Sequence, residues 1–175
     1  MIFILAKGHD RITLSARGGK PIDLSVGDPS VQGRIRVHVR YGAMDFTTDD
    51  VPGRVQVSWV FTSARTTKKT VLPLTTVRFA PRGLDDRNAA APGSTTEIPV
   101  RVVTNPGATA HAVTNLKVEA STDGAKTWQT LPVTNGTVSV ANPAEPGYVA
   151  LRATAVDSAG DQVTETVSRA YRVAG

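Results

Sequence analysis

Along much of this chain apolar and polar residues alternate with a period of two, and no stretch of a dozen residues sustains the three-and-four spacing of an amphipathic helix. The pattern predicts strands and no substantial helix. In Arg34-Ile-Arg-Val-His-Val-Arg-Tyr41, Ile35, Val37, Val39 and Tyr41 share one face, while Arg34, Arg36, His38 and Arg40 share the other. Val55, Val57, Trp59 and Phe61 form a second apolar stripe, and Leu72 to Phe79 predicts a strand that either closes a first domain or leads into a second. Weaker candidates are Arg11 to Ser15 and Pro21 to Val26, with Met1 to Ala6 read as a first strand whose partners lie upstream.

Beyond residue 94, strands and turns recur at close spacing. The expected strands are Glu97 to Thr104, Leu116 to Ser121, Trp128 to Val133, Thr137 to Val140, Tyr148 to Val156 and Val163 to Tyr171. Turn chemistry separates them, at Asn105-Pro-Gly107, Asp123-Gly124, Asn135-Gly136, Asn142-Pro143 and Ser158-Ala-Gly160. Asn135-Gly136 is the strongest of these signals, because both residues tolerate positive φ. The expected fold is all-β: an immunoglobulin- or fibronectin-like β-sandwich at 95–175, preceded by a second β-rich domain at 1–79 whose opening is incomplete. The Pro-, Gly-, Asp- and Ala-rich stretch 80–94 reads as the linker between them.

Composition narrows the chemistry. Hydrophobic residues make up 40% of the chain but aromatics only 5%, so the core must be built from Val, Leu, Ile and Ala. The absence of cysteine excludes disulfides, thiolate metal sites and cysteine nucleophiles. Residues 1–75 hold 11 Lys and Arg against 6 Asp and Glu, whereas 76–175 hold 9 against 9, so the basic character belongs to the first part. That excess suits weak attraction to anionic polymers and is too small to imply nucleic acid. The apolar opening is too short for a membrane span.

None of the three histidines stands in a sequence context that builds a Ser/His/Asp triad: His9 is in the ragged start, His38 on a polar strand face, His111 in a loop of small residues. No catalytic residue is expected. Asp85, Asp86 and Asn88 place three oxygen donors close together, a set that suits calcium, but the fixed spacing of an EF-hand is absent and turn formation and solubility are the simpler reading. No other cofactor is called for. The Arg34, Arg36, His38, Arg40 stripe is a candidate docking face for an anionic cell-wall polymer, set against its simpler reading as a solvated face that discourages edge pairing. Ser121-Thr-Asp-Gly-Ala-Lys-Thr-Trp128 resembles the Asp-box hairpin of sialidases and other β proteins, with Asp123 bonding turn amides and Trp128 covering the sandwich core.

Several phrases taken in order resemble a known family. They are Ser58-Trp-Val-Phe-Thr-Ser63, Leu72-Pro-Leu with Val77-Arg-Phe-Ala-Pro81, Val118-Glu-Ala-Ser-Thr-Asp-Gly124 with Trp128, Leu151-Arg-Ala-Thr-Ala-Val-Asp157 with Gly160, and Arg169-Ala-Tyr171. Together they are similar to the C-terminal extension of large secreted subtilisin-like serine peptidases of actinobacteria, over about residues 55–175. The resemblance implies a parent that is exported and cleaves proteins, with its catalytic domain upstream in the same chain. This segment would then be a non-catalytic accessory region contacting that domain, and protein substrate or a cell-wall polymer. A carbohydrate- or cell-wall-binding module is the competing expectation; it needs exposed aromatic platforms, and both tryptophans read better as core.

Overall fold

The computed structural model describes residues 74–175 throughout, the side chains of 55–61 and Val71, and the backbone of strands at 2–7, 11–16, 22–25, 33–44, 53–63 and 70–71. Among the described residues there is no helix, and every regular element is a strand. None of them could therefore supply a helix long and apolar enough to cross a membrane. β1 (Ile2–Lys7), β2 (Arg11–Ala16), β3 (Ile22–Ser25) and β6 (Thr70–Val71) form one sheet in the order β3-β2-β1-β6. β1 is paired on both sides, with β2 and β6, so these two partners come from downstream segments rather than upstream ones.

The larger sheet runs β11-β10-β13-β14-β5-β4, made of β4 (Gly33–Met44), β5 (Gly53–Ser63), β10 (Val113–Ser121), β11 (Gln129–Leu131), β13 (Gly147–Asp157) and β14 (Gln162–Val173). A short seventh strand, β8 (Ala89–Ala90), pairs with β14 in parallel. The facing sheet is β12-β9-β7, from β7 (Thr75–Phe79), β9 (Thr95–Thr104) and β12 (Thr137–Ala141). Both sheets contribute to one buried cluster: Val57, Trp59, Phe61, Val118, Leu151 and Val163 from the larger, Val77, Ile98, Val100 and Val138 from the smaller. Two antiparallel sheets packed through their apolar faces make a β-sandwich, and the period-two stripes of the sequence are its inner surfaces.

The core extends across the division expected at residue 79. β5 pairs with β14 from Val167↔Val55 to Gln162↔Val60, and Trp59 donates its indole N–H to Thr75 O at 2.6 Å. Residues 55–79 therefore supply one flank of the same sandwich that 95–175 builds. The stretch 80–94 is likewise held along its length rather than free between units. Ala80 and Arg82 donate to Pro99 O and Glu97 O, Gly93 donates to Pro143 O, and Ala89 and Ala90 are buried. Its Pro, Gly and Asp residues do make turns, as their chemistry demands, but the turns are fastened to the sheet edges.

β14 can serve both β5 and β8 because its register with β13 shifts between Leu151↔Val167 and Val149↔Tyr171. Before the shift it pairs with β5, and after it Arg172 and Val173 pair with Ala89 and Ala90. A buried polar knot then ties the two layers. Tyr171 donates its hydroxyl to Asn142 Oδ1 at 2.8 Å, and Asn142 Nδ2 donates to Thr96 Oγ1 and Ser94 Oγ. Burial of the ring pushes the Tyr171 hydroxyl up to about 12, so it remains a donor at any physiological pH.

The Asn135-Gly136 turn forms as the sequence predicts, with φ of 49° and 71° and reciprocal bonds between Thr134 and Thr137. Its flanking strands do not stay together, however: β11 belongs to the larger sheet and β12 to the smaller. The hairpin signal thus marks the corner where the chain passes from one layer to the other.

Candidate functional site

The Arg34, Arg36, His38 and Arg40 positions lie on β4 across from Thr62, Val60, Ser58 and Gln56. The alternate β4 positions, Ile35, Val37 and Val39, pair with Phe61, Trp59 and Val57, which are core. The side chains of the stripe lie outside the described residues, as do residues 45–52 and 64–69.

Of the calcium candidates, Asp85 and Asn88 build the turn into β8. Asp85 Oδ1 accepts the amides of Arg87 and Ala89 at 2.9 and 2.8 Å, and Asn88, at φ 57°, donates Nδ2 to Ala170 O. One Asp85 oxygen is therefore already engaged by amides. Asp86 is exposed beside them.

The Asp-box-like hairpin joins β10 to β11 around one carboxylate. Asp123 Oδ1 accepts Ser121 Oγ and the amides of Lys126 and Thr127, while Oδ2 accepts the Thr127 amide and hydroxyl. The Thr127 hydroxyl and amide, then the Ser121 hydroxyl, hold the Asp123 carboxyl well below the usual carboxylate range. Trp128, expected in the core, lies instead on the outer face of the larger sheet. The Arg152 guanidinium sits 4.2 Å from its ring centroid and donates to Glu119 Oε2 at 2.8 Å, while Lys117 donates to Glu119 Oε1 at 2.7 Å. Glu119 is buried on that face, and its hydrogen bond to Arg152 is the largest influence lowering its pKa. The physical reason for the displacement is this acid: a carboxylate taken from water must be paired, and the Arg152–Trp128 stack covers the pair.

Two further groupings escape sequence reasoning. Glu165, on β14, stands level with Val57 and Ala153 on the core side of the sheet and accepts the Val77 amide of β7 at 2.9 Å. Burial pushes its carboxyl up to about 7, against the smaller opposing effects of that amide and the Arg78 charge. The second grouping is His111, Asp157 and Asp161, whose donor atoms all lie within 4.8 Å of one another. His111 comes from the loop between β9 and β10, and the aspartates bracket the tight turn between β13 and β14. Asp157 Oδ1 accepts the amides of Ala159 and Asp161 at 2.9 and 3.0 Å, and Asp157 Oδ2 lies 3.5 Å from His111 Nδ1. The turn residues were legible as Ser158-Ala-Gly160; the histidine that meets them is remote in sequence, so no spacing could reveal it.

No protein-family model matches this chain, and no curated protein matches it.

Proposed function

We propose that this chain is a non-catalytic accessory β-sandwich region of a secreted subtilisin-like serine peptidase. It acts as a scaffold for the catalytic domain of the same parent chain and as a contact surface for protein substrate. The observation that carries the reading is where the family-like phrases fall. Trp59 and Phe61, Val77, Val118 and Ala120, Leu151, Ala153 and Ala155, and Tyr171 are all core residues, and Asp123 is the keystone of a hairpin. The phrases that resemble that extension thus fall on residues that set a fold, which fits a scaffold without a reactive centre. Against the carbohydrate-platform reading stands Trp128, whose ring is stacked by Arg152 and thereby committed to covering Glu119.

Casein hydrolysis by the purified chain tests the reading directly. The expected rate is that of the buffer blank once contaminating proteases are inhibited, and activity that survives this control and co-purifies with the chain overturns it. The open reading frame upstream supplies the parentage test: a subtilisin-type catalytic domain is expected there, and a gene that opens at Met1 with no such neighbour argues against it.

A further inference from the structure

We propose that His111, Asp157 and Asp161 together ligate one divalent transition-metal ion of the zinc class, which would clamp the β9–β10 loop onto the β13–β14 turn. The positions are held by backbone bonds that owe nothing to a metal. Ser158 donates its amide to Ala112 O at 2.8 Å, Asp157 exchanges bonds with Asp161 O and Gly160 N, and Val113 pairs with Asp157 in the β10–β13 ladder. Thr114 Oγ1 adds a bond to Val156 O at 3.1 Å. Loop and turn therefore meet in one register, and the three donor groups meet with them.

The decisive atom is His111 Nδ1, which is buried and has no hydrogen-bond partner. An imidazole nitrogen withdrawn from water and left unbonded carries a desolvation cost that a protein ordinarily removes by pairing it. Its neighbour Asp157 Oδ2 stands at 3.5 Å, beyond the roughly 3.2 Å limit of a good N–H···O bond. That separation is close to the edge between two ligands of a tetrahedral zinc, about 3.4 Å for bonds of about 2.1 Å. The Asp157 side chain is only 6% exposed, and its other oxygen is fixed by two amides, so the carboxylate is already oriented as a supported ligand would be.

The donor set selects the class of ion. One imidazole and two carboxylates suit zinc and its neighbours, with a fourth position left for water, whereas calcium takes six to eight oxygens and has no use for an imidazole. The spread of up to 4.8 Å among the donors exceeds a zinc ligand edge, so binding would draw the carboxylates and the ring together. Because it joins two loops at one end of the sandwich, the ion would act on stability rather than on chemistry.

Titration calorimetry of the full chain, stripped with a chelator and then given Zn2+, is the test, with Ca2+ as the comparison ion. One equivalent of Zn2+ is expected to bind and to raise the midpoint of thermal unfolding, with Ca2+ failing to compete. His111→Ala and Asp161→Asn should each weaken Zn2+ binding by at least about tenfold and abolish the thermal shift. A His9→Ala, His38→Ala double variant should bind as the parent does. Asp161→Asn keeps size and shape, so it carries the result if His111→Ala fails to fold. The proposal is overturned if Zn2+ does not bind saturably, if Ca2+ binds more tightly, or if binding survives unchanged in Asp161→Asn.

Discussion

Asp123 and Asp157 perform the same task at two turns of one sheet, and the difference between them lies in what each has left over. Both accept backbone amides from the residues that follow and so define a tight reversal. Asp123, in the exposed hairpin after β10, spends both oxygens on its own turn: the Thr127 amide and hydroxyl occupy the second. Asp157, at the buried end of β13, spends one on its turn and presents the other to His111 across the loop. Turn chemistry alone does not make a binding group. A neighbouring element must arrive while an oxygen remains to be shared.

Replacement by alanine should separate the two most sharply. Asp157→Ala leaves the part-buried Ala159 and Asp161 amides without their acceptor and should cost about 2–3 kcal/mol in chemical denaturation. Asp123→Ala frees its amides to water and should cost less. An equal or greater loss for Asp123→Ala would break the distinction.

The pH dependence of stability extends the comparison to a third carboxylate, Glu165, which has one amide partner and little water. Its folded pKa of about 7 lies above the ordinary 4.5, so the folded state holds the proton more tightly than the unfolded chain. Its contribution is therefore full below pH 4.5 and is lost as pH rises to about 7, an effect of at most about 3 kcal/mol. Glu165→Gln should flatten that slope in urea unfolding measured from pH 4 to 8, and an unchanged slope would locate the titration elsewhere. Asp123 works with the opposite sign. Its carboxyl is held low, so its support is present above the usual carboxylate range and is lost as acid drops the pH through its folded pKa.

The smallest expected change is a gain. Ala125, beside Gly124 in the Asp123 hairpin, is held at φ 67°, where a Cβ is disfavoured. Ala125→Gly should stabilise by about 1 kcal/mol, offset in part by the freer unfolded chain, and raise the thermal midpoint by a few degrees. A loss would mean that the Ala125 methyl contributes more by packing than its backbone costs.

Much of the fold was legible in the sequence because period-two alternation is a local property. β4, β5, β9, β10, β12, β13 and β14 fall where the apolar stripes predict, and Asp123 bonds the amides its motif requires. Trp128 was misread because an aromatic after a turn suits either face of a sheet, and the choice depended on Glu119 and Arg152 on other positions of β10 and β13. The composition of 80–94 reports turns but not what they are tied to, and the ties to Pro99, Glu97 and Pro143 come from remote segments. The meeting of His111 with Asp157 and Asp161 was invisible, since the partner of His111 lies outside its own segment.

The one-dimensional pattern determined that the chain forms strands, which side of each is apolar, and where it bends, since each follows from a residue and its immediate neighbours. Tertiary structure alone decided that 55–79 completes the sandwich of 95–175, that β14 changes partners after Val167, and that a histidine nitrogen faces two aspartates. These depend on which distant edges meet, and pairing between remote strands is settled by the burial of the whole core rather than by any short run of residues.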